Sequence, residues 1–198
     1  MANLTPSERT HYAEHGYVVP EFRLSADRVG LLRTTLDDLI AANPDVRPEK
    51  LVSAHIAGRN SEGVVGSNVF LDLAKDEDIL DLVAQVIGDD IVLWGCHVFC
   101  KPGGTGFETP WHQDGHYWPI TPLATCTVWV AIDDVTRENG CLQVIPGSHR
   151  EKTLHAHMME DCKDVVLTQS TSADAFDEDT AVALELEPGQ MSLHDVFM

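Results

Sequence analysis

Apolar residues recur along this chain with two different periods, and the change falls near Gly88. Before it the period is helical. Thr5-Pro6-Ser7-Glu8 supplies a capping residue, a proline at the first helical position and a glutamate three residues beyond the cap, which predicts a helix ending at Gly16. Gly16-Tyr17-Val18-Val19-Pro20 reads as a short strand. Ser25 caps a longer helix to about Ala42, with Val29, Leu32, Leu36, Leu39 and Ile40 on one face and Asp37 and Asp38 toward solvent. Pro44, Pro48, Gly58 and Gly63 predict loop from 44 to 65. Asp76 to Ile87 is a further amphipathic helix, carrying Ile79, Leu80, Val83, Val86 and Ile87 on one side and stopped by Gly88.

After Gly88 the runs become strand-like: Ile91 to Lys101, Thr125 to Val135, Cys141 to Ile145, Ala181 to Leu186 and Gln190 to Met198. Turn residues separate them, at Pro102-Gly103-Gly104, Glu138-Asn139-Gly140, Pro146-Gly147 and Pro188-Gly189. Helices in front and strands behind give an α+β order, mainly β, rather than the alternation of a doubly wound sheet. The expected architecture is one domain, a helical buttress over 1–90 and a jelly-roll core over 91–198. The polar segment from Gln169 to Thr180 is expected to be a mobile loop.

Composition narrows the function classes. The 198 residues are 43% hydrophobic and 23% charged, as in a globular domain with a real core, and 32 acidic against 13 basic residues give a net charge of −19. Such a field repels phosphate backbones and anionic lipid, so neither nucleic acid nor a membrane surface is an expected partner. The first ten residues lack an apolar signal-peptide core, and no apolar run approaches the roughly 18 residues of a membrane span, which predicts a cytoplasmic protein. Five cysteines without a CxxC pair are read as reduced thiols. Ten histidines carry the functional question.

The most informative window is Pro110-Trp111-His112-Gln113-Asp114-Gly115-His116-Tyr117-Trp118-Pro119. On an extended backbone, residues two apart share a face at about 6.6 Å, so His112 and Asp114 can converge on one ion. An imidazole with a carboxylate is two thirds of the facial triad that holds non-haem Fe(II) with open positions. His116 could close a local triad only through a bend at Gly115, because an extended chain puts it roughly 13 Å from His112. Pocket wall or surface is the better reading of His116. Trp111, Tyr117 and Trp118 are either core packing or the wall of a substrate pocket. His155 and His157 lie in a charged loop and read as surface imidazoles, and His97 as a hydrogen-bonded histidine of a buried strand.

Lys101-Pro102, Pro110-Trp111-His112-Gln113-Asp114, Thr127 to Asp134, Glu138-Asn139-Gly140-Cys141-Leu142 and Pro146-Gly147-Ser148-His149 together resemble the phytanoyl-CoA dioxygenase family. Glu14-His15-Gly16-Tyr17-Val18-Val19 is similar too, while 44–65 and 150–180 are unmatched. The resemblance implies a double-stranded β-helix enzyme using Fe(II), 2-oxoglutarate and O2, releasing succinate and CO2 as it hydroxylates a small organic substrate. It implies His112 and Asp114 as iron ligands, Trp129 beside 2-oxoglutarate with Lys101 and Thr127 as further pocket residues, and Gln113, Tyr117 and Trp118 toward substrate. Related halogenases have a small residue in place of this carboxylate, so Asp114 favours hydroxylation.

In the family pattern the third ligand falls about eleven residues beyond the glycine matched by Gly189, which places it past Met198 together with the arginine that anchors 2-oxoglutarate. The expectation is therefore of a longer enzyme whose last strands are missing here. His194, the histidine of the last strand, reads as a residue alternating on a sheet face. Two other readings remain: a non-catalytic jelly-roll binding protein with an incomplete iron site, and a metal hydrolase using His112, Asp114 and His116. Arg47, Lys50 and Arg59 are the candidates for a basic mouth should the substrate be an acyl-CoA ester.

Overall fold

A computed structural model describes residues 1–198. Helix α1 (Pro6–His15) starts as its sequence requires: Thr5 Oγ1 accepts the Glu8 N–H and Glu8 Oε2 accepts the Thr5 N–H at 2.6 Å. It ends at Gly16, whose φ of 82° is left-handed. A Cβ at Gly16 would also collide with Met198 Sδ and the His149 ring, so glycine is required there twice over. Strand β1 (Tyr17–Val18) follows, then α2 (Ala26–Ala42) capped by Ser25. The 44–65 region is mostly loop, with a 3-10 turn at Pro48–Lys50 and strand β2 (Gly58–Arg59) pairing with β3 (Val65–Gly66). Helix α3 (Asn68–Ala74), too short for its period to stand out in the sequence, precedes α4 (Glu77–Ile87), which Asp76 caps.

Six more strands complete the chain: β4 (Cys126–Val130), β5 (Leu142–Val144), β6 (His157–Met159), β7 (Gln169–Thr171), β8 (Val182–Leu184) and β9 (Met191–Asp195). All the strand pairs are antiparallel: β1-β9-β4 form a three-stranded sheet, and β5-β8 and β6-β7 form two-stranded ribbons. The α+β order therefore holds, but with strands of two to five residues and four helices the chain is not mainly β.

The run from Ile91 to Lys101 accounts for part of that difference. It is apolar enough to be a strand, yet its ladder contact is a single bridge from Val98 to Leu51, and Val92, Trp94 and Phe99 are 87%, 53% and 46% exposed. Strand propensity without a neighbouring ladder leaves it irregular. The Gln169–Thr180 segment departs the other way, since β7 pairs with β6 and Glu178–Thr180 forms a 3-10 turn. It therefore contains regular structure where its composition reads as loop, and Gln169 and Thr171 make the contacts described below.

The main core holds 19 buried residues, nine of them from the helices, and is closed by Val18 of β1 and Met191 and Leu193 of β9. Cys126, Val128 and Val130 of β4 pack onto the same cluster. Because side chains alternate across a strand, Thr127, Trp129, Ser192 and His194 lie on the other face. The register places Thr127 opposite His194 and Trp129 opposite Ser192. A small second cluster of Tyr17, Val144 and Leu184 joins that side of the sheet to β5 and β8. All five cysteines are free, and no helix is long and apolar enough to cross a membrane.

Candidate metal centre

His112 and Asp114 meet, but through a turn rather than along a pleated strand. Gln113 is extended, with φ −110° and ψ 128°, and Asp114 opens a 3-10 turn through Tyr117. Gly115 makes this turn possible: its N–H donates to Val196 O at 3.1 Å, and a Cβ would lie 2.8 Å from Leu123 and 3.1 Å from Val196. The result sets His112 Nε2 3.4 Å from Asp114 Oδ1. The His112 ring is oriented from behind by Pro110 O, 2.8 Å from Nδ1; a carbonyl only accepts, so Nδ1 carries a proton and Nε2 is the nitrogen turned toward Asp114.

The sheet supplies the other side. Thr127 Oγ1 donates to Asp114 Oδ2 at 2.6 Å, and His194 Nε2 lies 3.3 Å from the same oxygen. Burial opposes the charged form of Asp114, but hydrogen bonds from His112 and His194 outweigh it and hold the carboxyl well below the usual carboxylate range. Burial likewise works against the charged form of His112, and the hydrogen bond and charge of Asp114 reverse it, raising the imidazole above its ordinary value. His194 corrects the sequence reading: it does alternate on a sheet face, and that face is the site. The signal available in the sequence was the spacing of Ser192 and His194 opposite an alternating Thr127 and Trp129, which needs the β4-β9 register to be read.

His116 does not join the cluster. The 3-10 turn swings its ring onto that of His157, stacked at 3.8 Å and 8°, with Nε2 on Gln169 Oε1. His157 is consequently half-buried inside the fold rather than a surface imidazole, and its Nε2 takes the Gln113 N–H at 3.2 Å. Gln113 itself is 3% exposed, its side chain bonded to Thr153 O, Phe197 O and His155 N. That amide is committed to backbone and is corrected from substrate contact to structural tie. Tyr117 sits edge-on to His112 at 6.1 Å between ring centroids, its hydroxyl donating to Gln169 O. Trp118 is half-buried where the turn ends, and Trp111 packs on Phe176. Trp129 is half-buried on the site face of β4, whereas Lys101 Nζ rests 3.4 Å from Gly140 O.

Two further expectations change. His97 is exposed, its Nδ1 accepting the Ser53 N–H, because the strand meant to bury it does not form. The basic mouth does not assemble either: Arg47 pairs with Glu49 and Thr105 O and lies over Phe107, Lys50 shares that ring, and Arg59 bonds Gly63 O within its own hairpin.

The donor set suits a divalent iron: one imidazole nitrogen of fixed tautomer faces one carboxylate oxygen held ionised. No group of three or more His, Cys, Asp or Glu side chains converges closely enough to hold a metal by itself. His112 and Asp114 are thus a two-residue candidate, with His194 Nε2 resting on the second Asp114 oxygen.

The phytanoyl-CoA dioxygenase family profile matches residues 12–197. The chain belongs to that family. Among its relatives, mouse peroxisomal phytanoyl-CoA dioxygenase is 29% identical over 172 residues, covering 78% of this chain and 50% of that protein. The chain spans about half the length of the curated relatives it matches. Two solved structures share the fold of this family member. EvdO2 from Micromonospora carbonacea var. aurantiaca, complexed with 2-oxoglutarate, superposes with a TM-score of 0.75 at 21% identity, over 99% of this chain and 82% of that one. EctD from S. alaskensis with bound Fe gives 0.69 at 23% identity, over 99% and 69%. The fold described above is thus shared with these two structures over nearly the whole chain.

Proposed function

We propose that this chain carries the iron and 2-oxoglutarate site of a dioxygenase that hydroxylates a small organic substrate and releases succinate and CO2, on a double-stranded β-helix scaffold. The observation that carries the reading is the approach of His112 Nε2 to within 3.4 Å of Asp114 Oδ1, with the imidazole oriented by Pro110 O. Family membership and the solved relatives that hold iron or 2-oxoglutarate support it.

His112 and Asp114 would be two of the iron's protein ligands. When bound, the iron would supply open positions where 2-oxoglutarate and O2 meet, with O2 as the oxidant both for 2-oxoglutarate and for an unactivated C–H bond. The chain's own work is positioning. Thr127 and His194 turn the Asp114 carboxylate so that Oδ1 stays free toward His112. Trp129 stands on the same sheet face, suited to wall the 2-oxoglutarate, and Lys101, whose Nζ makes only a long contact to Gly140 O, would be a further cationic residue for an anionic cosubstrate. Tyr117 and Trp118 would form the aromatic wall over which substrate lies and from which water is excluded.

The test is succinate formation by purified protein with Fe(II) and 2-oxoglutarate, in air and under argon. Oxygen-dependent succinate supports the proposal. Metal binding with no succinate from the chain in its full natural length overturns it in favour of a binding module, and oxygen-independent hydrolysis in favour of a hydrolase.

A further inference from the structure

We infer that His157 is a positioning residue, whose Nε2 fixes the peptide joining His112 to Asp114 and thereby the approach of the two candidate ligands. The inference rests on the proposed iron site and goes beyond it, since nothing in that reading uses His157.

The hydrogen bonds of the ring fix its role. Nδ1 lies 3.0 Å from His155 O, and a carbonyl can only accept, so Nδ1 carries the proton. Nε2 is then an acceptor, and two donors converge on it: the Gln113 N–H at 3.2 Å and the Thr171 hydroxyl at 3.2 Å. Stacking on His116 at 3.8 Å holds the plane of the ring. Position, tautomer and orientation therefore agree in making Nε2 an acceptor for the Gln113 N–H, 44 residues away, shared with the Thr171 hydroxyl of the neighbouring strand.

That proton belongs to the residue between the ligands, and the ribbon grips the other side as well. Thr171, paired with His157 across β6-β7, donates its own N–H to Trp111 O at 2.7 Å. The peptides on both sides of His112 are thus tied to one two-stranded ribbon, through β6 after it and β7 before it. The Gln113 side chain adds bonds to Thr153 O, Phe197 O and His155 N, so this residue has few ways to shift. Loss of the tie would free the backbone angles between His112 and Asp114 on which their 3.4 Å approach depends. Groups that orient metal ligands in this way typically change affinity by about 10–100-fold when removed.

The experiment uses the full chain with two substitutions. His157→Phe keeps the stack on His116 and removes both nitrogens; His157→Gln can return a carbonyl oxygen near the Nε2 position. Two quantities are read: affinity for Mn(II) alone by calorimetry, and hydrogen exchange of the peptide containing Gln113 by mass spectrometry. We expect His157→Phe to bind Mn(II) about tenfold more weakly or worse and to lose protection at Gln113, with His157→Gln restoring both to within about threefold. Wild-type affinity and protection in His157→Phe would overturn the inference, as would a His157→Gln variant no better than His157→Phe, since the loss would then be one of packing. If His157→Phe does not fold, the wild-type chain still decides: a Gln113 amide that exchanges like an exposed one overturns the inference, and a protected one that loses protection in a folded His157→Ala supports it. If the chain in its full natural length binds no Mn(II), the iron reading fails while exchange at Gln113 continues to judge the role of His157.

Discussion

His194 Nε2 stands 3.3 Å from Asp114 Oδ2 across 80 residues of chain, on the oxygen that also accepts the Thr127 hydroxyl. The carboxylate is thereby occupied on one side and free on the other, where His112 waits. His194→Ala is accordingly expected to weaken Fe(II) binding by about tenfold, as loss of an orienting partner does, whereas His112→Ala and Asp114→Ala abolish it. Anaerobic titration of the three variants with Fe(II) checks this ranking. Equal loss in all three would instead make His194 a ligand.

Thr127 tests the same carboxylate without touching a histidine. Thr127→Val keeps the shape and removes a hydrogen bond to a charged, buried acceptor, for an expected loss of about 2 kcal/mol in urea unfolding. Thr127→Ser, which retains the hydroxyl, should recover most of it. A Val variant as stable as wild type would show that the bond does not hold Asp114.

The sheet that delivers Thr127 and His194 depends on the residues facing the other way. Leu193 is fully buried in the main core, directly opposite Val128. Leu193→Ala should cost about 3 kcal/mol, with the cavity beneath β9 adding to the lost transfer energy. Because His194 follows on the same strand, Fe(II) affinity should fall as well, measured at a temperature where the variant remains folded.

Alkaline solution should destabilise the fold. Burial pushes the Cys96 thiol up to about 11 and Cys126 up to about 12, from an ordinary value of 9.0, and raises Tyr12 too. Below pH 9 both folded and unfolded chains keep these protons. Above it only the unfolded chain releases them, so stability present at neutral pH is lost progressively between about 9 and 12, by about 1 kcal/mol per buried thiol at pH 10. The urea midpoint should therefore fall from pH 8 to pH 10. At pH 8 the exposed Cys162 should react with iodoacetamide well before Cys126.

Much of the fold was legible. The capping box at Thr5, the Ser25 cap, the apolar period from Asp76 and the glycine stops are local signals, and α1, α2 and α4 follow them to within a residue. Strand pairing was less so. Ile91 to Lys101 has strand composition and no strand, because a ladder needs a partner that composition does not name. Gln169 to Thr180 has loop composition and contains β7, because the backbone of Gln169 and Thr171 bonds Tyr117 and Trp111 and the Gln169 side chain bonds His116.

For the site, the sequence by itself determined the pair His112 and Asp114, together with the family to which the motifs around them belong. Two residues so close in the chain meet through a single turn, and a turn is encoded locally by Gln113, Gly115 and their neighbours. Only the tertiary structure decided which distant groups complete it: His194 and Thr127 on the carboxylate, His157 on the backbone between the ligands, and Gln113 as a tie rather than a substrate contact. The reason lies in strand register. A shift of one residue in β4-β9 would turn Thr127 and His194 into the helical core and bring Val128 and Leu193 to the site, and what forbids it is the cost of exposing those apolar side chains, a quantity summed over the whole core.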